Sequence, residues 1–262
     1  QVIEMKDRLD DMDGIPQCRA ASDVGRAMAL FDIDNDRLLD LIVGAPGTQT
    51  GNTGSVLVYR GGMGGAFEAT PAWTLKLETA LRTGNPRFGF GLDVVPTAQG
   101  QALVVRVPTF ALDSMNRAIN QPGGFFVFRQ GSLGARPPSG QMRVVTTAVA
   151  SARFIGAADD GAGRSGAVVD FDGDGDLDYV VGGASDRTQD GALHVFEASA
   201  LAGTGFVTPS VTLRGAMREF AGARIAVGRA ATGMMAPVAV LSAYRNTSSA
   251  LAVGAVRWLA GG

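Results

Sequence analysis

The sequence predicts an all-β fold made of about four similar sheets, and three observations lead to this prediction. A glycine followed by alternating apolar residues occurs four times at spacings of 69, 68 and 63 residues, beginning at Gly54, Gly123, Gly191 and Gly254. Further short segments with period-two alternation or β-branched residues begin at Ala72, Met142 and Pro209. The chain is also rich in glycine, with 37 among 262 residues. Each unit thus offers about four short strands, the number in a β-propeller blade.

These repeats divide the chain into four units within one predicted domain, residues 1–262. In each unit a loop follows the first predicted strand, and a glycine stands seven residues before the first position of that loop: Gly25, Gly89, Gly163 and Gly222. The approximate bounds of the units are 1–61, 62–130, 131–198 and 199–262.

The sequence is compatible with two ways of completing a ring of sheets. The fourth unit stops at its third strand, "AVRWLAGG", whereas "QVIEMKD" at residues 1–7 is a strand-like segment without a place. If this segment supplies the missing outer strand, a four-bladed ring closes and its open edge is removed. Alternatively, the units form part of a larger ring or of a ring that another chain completes.

Two short stretches concentrate aspartates directly before an apolar strand. Their carboxylates stand at positions 1, 3, 5 and 9 of a loop: Asp32, Asp34, Asp36 and Asp40 in the first, and Asp170, Asp172, Asp174 and Asp178 in the second. Main-chain carbonyls are expected at position 7, at Leu38 and Asp176. A hard cation requires such an oxygen set, and without one the carboxylates repel one another. The pattern predicts two calcium sites.

These loops differ from the helix-flanked calcium loop that begins with the same alternating acids. That loop needs a glutamate at position 12 and a following helix. Position 12 is Val43 in the first stretch and Val181 in the second, and each lies in a β-rich apolar run. The sequence therefore predicts calcium-bound β-hairpins.

The combination of loop, strand and repeat resembles the FG-GAP repeat of integrin-α-like β-propellers. The resemblance is closest where the aspartates precede "LIVGAP" in the first unit and "YVVGGA" in the third, while Phe88 and Gly89 supply the Phe-Gly pair of the second. It implies a blade that runs from an inner strand through the calcium loop to three further strands. Pro96 and Arg229 occupy the first ligand position of the second and fourth units, so no calcium is expected there. Arg37 replaces the usual glycine at position 6, which predicts a weaker or strained first site.

Composition and charge narrow the classes of partner. A net charge of −2 offers no basic surface for nucleic acid, and no apolar run approaches the ~20 residues of a membrane span.

Lys6 and Lys76 are the only lysines, an arginine bias that indicates a GC-rich bacterial genome.

The sequence gives no pattern of residues that indicates catalysis. His194 is the sole histidine and is expected on the more polar face of a strand, and Cys18 has no histidine near it in sequence. Asp159 and Asp160 are expected in an exposed turn. No catalytic residues are therefore assigned.

These observations favour a noncatalytic, calcium-stabilised propeller that serves protein–protein interaction, adhesion or assembly into a larger complex. The alternative is a carbohydrate-active or other hydrolytic enzyme of propeller form, for which a glycan would be the ligand. Calcium sites of this kind favour an extracellular, cell-surface or periplasmic location, and residues before Gln1 of a precursor, including a secretion signal, are compatible with that expectation.

Overall fold

The computed structural model describes eight stretches of the chain: residues 23–47, 53–81, 85–109, 122–183, 191–215, 221–228, 238–245 and 253–260. The segment at residues 1–7, Cys18 and Arg229 lie outside these stretches. The predictions made for them therefore stay predictions.

The described residues are almost entirely strand and turn, as the sequence predicts. In chain order the strands are β1 (Met28–Phe31), β2 (Asp40–Ala45), β3 (Ser55–Tyr59), β4 (Trp73–Lys76), β5 (Gly91–Thr97), β6 (Gly100–Arg106), β7 (Gly124–Arg129), β8 (Arg143–Thr146), β9 (Ala152–Ile155), β10 (Ala162–Val169), β11 (Asp178–Gly183), β12 (Ala192–Phe196), β13 (Gly205–Phe206), β14 (Val211–Arg214), β15 (Arg224–Gly228), β16 (Val238–Arg245) and β17 (Val253–Ala260). The helical elements are two 3-10 turns, Thr79–Leu81 and Thr147–Val149, and the one-turn helix α1 (Ala198–Leu201).

Within the described ranges these strands form four sheets, each begun by three strands that are consecutive in sequence. Their orders are β1-β2-β3-β4-β8, β5-β6-β7-β9-β13, β10-β11-β12-β14 and β15-β16-β17. The consecutive strands pair antiparallel in every sheet. The prediction of an all-β fold is therefore confirmed, and the sheets repeat one arrangement.

In the first and third sheets the second and third strands are buried almost throughout. The "SVLVY" of β3 and the "DYVVGG" of β11 are buried at every residue. Their sequences are accordingly continuous apolar runs rather than alternating ones, because neighbouring sheets cover both sides.

The hydrophobic cores lie between successive sheets. One core joins Trp73 and Ile42 of the first sheet to Phe88 and Phe126 of the second, and the next joins Phe125 of the second sheet to residues of the third. The first strands of the sheets also lie side by side, since β1 contacts β5, β5 contacts β10, and β10 contacts β15. Successive sheets thus pack face to face with their first strands along one side, which is a propeller-like arrangement.

Glycine backbones meet where one sheet joins the next. The residue before the third strand forms a parallel bridge to the residue before the next sheet's marker glycine, and this holds at three junctions: Gly54 with Phe88, Gly123 with Ala162, and Gly191 with Ala221. A Cβ atom on Gly44 would lie 2.2 Å from the carbonyl oxygen of Gly89, and one on Gly182 would lie 2.4 Å from that of Gly222. The recurrent glycines are therefore explained by close approach of two backbones.

The second unit replaces this glycine contact with an arginine. Arg106 stands where the first unit has Gly44, and its guanidinium donates to the carbonyl oxygens of Gly163 and Arg164 at 3.2 and 3.0 Å. Asp93 accepts from Arg106 Nε at 2.8 Å and from the buried hydroxyl of Tyr179 at 2.8 Å. A paired charge thus bridges the second and third sheets at the position where the first and third units have glycine.

Two short strands pair with the sheet before the one whose strands flank them in sequence, since β8 lies between β7 and β9 of the second sheet and β13 lies between β12 and β14 of the third. The segment beginning at Met142 does form a strand, β8, but it pairs parallel to β4 of the first sheet. Likewise β13 pairs parallel to β9. The fourth strand of the second sheet is instead β9, "ARFI", which the sequence analysis did not identify. The second and third sheets are therefore each linked to the preceding sheet by backbone hydrogen bonds.

The close backbone approach at Gly44 predicts that even one added methyl group destabilises the junction between the first two sheets. Gly44→Ala should lower the free energy of unfolding by roughly 1–3 kcal/mol or more, because the added Cβ meets backbone that cannot move aside. Gly62→Ala is the control, since its Cβ would lie 3.3 Å from the nearest atom. Urea unfolding measures both, and equal losses would show that the backbone approach at Gly44 is unimportant.

Candidate metal centre

The two acidic loops are the bends that join the first and second strands of their sheets. The first connects β1 to β2, and the second connects β10 to β11. Val43 pairs with Met28 and Val181 pairs with Gly166, so position 12 of each loop lies inside a strand. The predicted hairpin setting is confirmed for both loops.

The first loop brings three of its four aspartates together. Carboxylate oxygens of Asp32, Asp34 and Asp40 all lie within 4.8 Å of one another. Asp32 accepts hydrogen bonds from the backbone N–H groups of Asp36 at 3.0 Å and Arg37 at 2.9 Å. These bonds fold the loop back on itself and hold the first carboxylate toward its centre.

The second loop gathers Asp170, Asp172 and Asp174, again within 4.8 Å. The three carboxylates accept backbone N–H groups of the same loop at 2.7, 3.2 and 2.8 Å. Their side chains are more exposed than those of the first loop. The convergence of acids therefore occurs twice, with local differences in which acids meet.

The aspartate at position 9 ties each loop to its sheet. Asp40 is fully buried and accepts the backbone N–H of Ile33 at 3.1 Å and that of Gly61 at 3.0 Å. Asp178 is equally buried and accepts the backbone N–H of Phe171 at 2.9 Å. Ile33 and Phe171 both stand at loop position 2, so the two hairpins share this anchor.

Burial makes the ionised form of this anchor costly. Removal from water raises the pKa of Asp40 to about 6, although its two backbone hydrogen bonds oppose the shift and the charges of Asp34 and Asp36 add to it. Burial raises the pKa of Asp178 as well, and Asp172 and Asp174 contribute. A cation beside these groups would favour their charged form.

Positions 4 and 6 adopt left-handed backbone in both loops. In the second loop Gly173 and Gly175 have φ values of 85° and 96°, whereas in the first Asn35 and Arg37 have 63° and 71°. Asparagine tolerates this region, but arginine has no local compensation for the clash of its Cβ. The strain that the sequence analysis predicted at Arg37 thus has a geometric basis.

An arginine that the sequence analysis missed lies on the first loop. Arg136, in the segment between β7 and β8, donates to Asp34 Oδ2 at 2.8 Å and also to Asp36. The hydrogen bond with Asp34 is the main cause that raises the pKa of Arg136 above its ordinary value. No local pattern could have revealed it, because about 100 residues separate the partners.

One oxygen of the first loop indicates that the acids fit a cation. Asp34 Oδ1 is buried and has no hydrogen-bond partner, while the Asp34 side chain as a whole is only 5% exposed. A buried carboxylate oxygen without a partner is costly unless a donor or metal satisfies it. The donor set, which is all oxygen, suits a hard divalent cation such as calcium. Asp36, Leu38, Asp176 and Asp178 lie in the same loops outside the two clusters, and the ligand role of all ten predicted residues stays a prediction.

The second unit has a different bend. Pro96 pairs with Gln101 inside the ladder of β5 and β6, and the strands run into a two-residue turn at residues 98 and 99. Among the described residues, the acid clusters with metal-binding geometry are those of the first and third sheets. No acidic loop is available at this position of the second sheet.

His194 and Asp160 have different surroundings from those expected. Asp160 is 1% exposed rather than part of an exposed turn. His194 faces the polar side chains of Thr212 and Asp160, as expected, but it is buried, with 2% exposure. Asp160 Oδ2 lies 3.2 Å from His194 Nε2, and Arg214 binds the same carboxylate. Burial alone would raise the pKa of Asp160, but His194 and Arg214 hold it below its usual value. The expectation failed because Asp160 lies where the connection to the third sheet is covered by β12 and β14.

Comparison with known proteins identifies the same two units. The FG-GAP repeat model matches residues 24–59 and 162–196, which span the first three strands and the acidic loop of the first and third sheets. Two stretches of the chain therefore match the FG-GAP repeat, and the resemblance drawn from the sequence is confirmed there. A search of curated proteins gave no match. In the part of the chain that the structure describes, none of the helices has the length and apolarity that a membrane crossing requires.

The left-handed backbone at Arg37 predicts a difference between two substitutions. Arg37→Gly should be more stable to unfolding than Arg37→Gln by up to about 1 kcal/mol, because both variants remove the same positive charge beside the acids and glycine alone relieves the strain at a φ of 71°. Asn35→Gly serves as a second control and should change stability by less, since asparagine already tolerates its φ of 63°. Urea denaturation in chelator compares the variants, and an Arg37→Gly protein no more stable than Arg37→Gln would contradict the strain.

The raised pKa of Asp40 predicts a pH effect in metal-free protein. Because the folded pKa of about 6 exceeds the unfolded value near 3.8, the folded state binds the extra proton, and stability falls as pH rises from about 4 to 7. In chelator, the drop in unfolding free energy between pH 4.5 and 7.5 should be about 2 kcal/mol smaller in Asp40→Asn than in wild type. The same pH profile in both proteins would refute the assignment.

Proposed function

We propose that this chain, two stretches of which match the FG-GAP repeat, is a noncatalytic β-propeller module that calcium stabilises and that binds a protein partner. The observation that carries the metal part is the convergence of three carboxylates at the same bend of two sheets, with one buried oxygen left without a donor. FG-GAP repeats are typical of propeller interaction modules, which supports the propeller fold and the binding of a protein partner.

The calcium ligands in this proposal come from the two hairpin bends. The carboxylates at positions 1, 3, 5 and 9 and the carbonyl at position 7 would hold the ion: Asp32, Asp34, Asp36, Leu38 and Asp40 in the first loop, and Asp170, Asp172, Asp174, Asp176 and Asp178 in the second. Bound calcium would supply the positive charge that these acids lack. It would thereby favour the folded hairpin over the open chain.

The size of the stabilisation follows from mass action. A ligand that binds only the folded state at one hundred times its dissociation constant adds ~2.7 kcal/mol per site. That is a sizeable part of the roughly 5–15 kcal/mol by which domains are stable. The raised pKa of Asp40 supports the coupling, because calcium would favour the ionised form that burial otherwise disfavours.

The propeller part of the proposal rests on the repeated sheets and their junctions. Four sheets with face-to-face cores and neighbouring first strands are what four consecutive blades would give. A closed four-bladed ring and a section of a larger ring both remain consistent with this packing. In either case the loops between strands would present the recognition surface, and a larger assembly is the favoured partner class.

The noncatalytic part is supported by how the candidate groups are used. Asp160, His194 and Thr212 lie in a row with separations of 3.2 and 3.0 Å, an arrangement that favours the hydrolytic alternative. However, Arg214 also forms an ion pair with Asp160. The His194 ring is buried against the Phe154 ring, with ring centroids 4.8 Å apart. A substrate would therefore have no access to the imidazole, and we favour a structural role for the row.

The location that fits this function is outside the cytoplasm. Calcium sites in extracellular modules often work at 10⁻⁴–10⁻³ M free ion, a range found outside cells. FG-GAP repeats also typically occur in extracellular proteins, so an extracellular, cell-surface or periplasmic module is proposed.

Replacement of one ligand tests the calcium role. Asp172→Asn removes one carboxylate charge with little change in volume and should lower the melting temperature by about 5–10 °C in excess calcium but not in chelator. Asp159→Asn is the matched control, because its φ of 65° suits asparagine and it lies outside both loops. Differential scanning calorimetry gives the values; equal losses with and without calcium would refute the metal site.

A further inference from the structure

Arg136 gives the first acidic loop a counter-ion from a distant part of the chain. Its guanidinium bridges Asp34 and Asp36, the carboxylates at loop positions 3 and 5. Asp34 is almost fully buried, whereas the arginine side chain is 45% exposed. The positive charge therefore approaches from solvent and reaches acids that the loop cannot neutralise by itself.

The segment that carries Arg136 is attached to the first unit on both sides of this residue. Gly131 N–H donates to the carbonyl oxygen of Ile33 at 2.7 Å, inside the acidic loop. The carbonyl oxygen of Pro137 accepts from Arg60 at 3.2 Å, and Ser139 donates to Glu68 at 3.2 Å. These contacts hold Arg136 over the loop, so the ordering cost of its ion pair is already partly met by the fold.

The second loop has no equivalent among the described residues. Within those ranges the carboxylates of Asp170, Asp172 and Asp174 accept hydrogen bonds from backbone N–H groups of their own loop and form no ion pair. The second loop also has glycine at both left-handed positions, where the first has Asn35 and Arg37. The two loops therefore differ in charge balance and in backbone strain.

A cation in the first loop would draw on the same two carboxylates that Arg136 pairs with, even where it binds the unpartnered Oδ1 of Asp34. Asp34 Oδ2 and an oxygen of Asp36 are engaged by the guanidinium, and like charges at contact distance repel. A divalent ion coordinated by these two carboxylates must displace the arginine or share weakened acids with it. Binding of one cation is thus coupled against the other.

We infer that Arg136 is an internal competitor of calcium, so that the two sites load in order. The loop at residues 170–178 fills first, and the loop at residues 32–40 fills at higher calcium with release of Arg136. This inference rests on the proposed calcium binding. At low calcium the arginine holds the segment after β7 on the first unit, and at high calcium that ion pair is lost.

Calorimetric titration of chelator-stripped full-length chain with calcium chloride tests the inference. Arg136→Gln should tighten calcium binding at the first loop by roughly three- to tenfold, the range expected for a charge-assisted pair at a partly exposed position. The Asp172→Asn background weakens the second site and isolates the first. Arg153→Gln, which removes an arginine charge that pairs with Glu78 at 3.8 Å rather than with either acidic loop, should leave both affinities unchanged.

A second variant and a second measurement protect the test against misfolding. Arg136→Lys keeps the charge but loses the fork that bridges two carboxylates, so its effect should be smaller than that of glutamine. In chelator, Arg136→Gln should also lower the melting temperature, because Asp34 and Asp36 lose their counter-ion. Circular dichroism confirms that each variant is folded.

The outcomes separate this inference from the proposed function. Calcium binding at both loops with unchanged or weaker affinity at the first loop in Arg136→Gln would overturn the competition and leave calcium binding intact. Binding at the second loop with tighter binding at the first in this variant would support it. An absence of calcium binding at both loops in every variant would overturn both.

Discussion

The mutual repulsion of carboxylates at a hairpin bend is the constraint on which this structure depends. Three acids converge within 4.8 Å in each of two loops, and a chain pays such a cost only where something offsets the charge. Backbone N–H groups provide part of the compensation, and in the first loop Arg136 provides more. Asp34 nevertheless keeps a buried oxygen without a donor. The electrostatics of both loops therefore favour a further positive charge.

The junctions between sheets explain why this repeat needs its glycines as much as its acids. The second strand of one sheet approaches the residues just before the first strand of the next so closely that a methyl group on Gly44 would overlap the carbonyl oxygen of Gly89. The acidic bend lies at the other end of that same second strand, where Asp40 anchors it to Gly61. Metal binding and sheet packing thus act on one strand, which links the charge of the loop to the stability of the junction.

Local patterns in the sequence were sufficient to predict the repeats, the hairpin setting of the acids and the marker glycines, because each depends on residues close together in the chain. Arg136 could not be found in this way, since its partners are about 100 residues away. The sheet that β8 joins could not be predicted either, because the residue pattern of a strand does not specify which other strand pairs with it. Asp160 was misjudged for the same reason: an aspartate pair beside glycine indicates a turn, but His194 and Arg214 arrive from other strands and bury it.

The most direct test of the central claim is anomalous X-ray diffraction from crystals grown with calcium. We expect one peak in each acidic loop, within about 2.3–2.6 Å of carboxylate oxygens, and none at the turn between β5 and β6. Arg136 should then have left Asp34 and Asp36 in the first loop. Water in both loops, with no anomalous peak at millimolar calcium, would contradict the account.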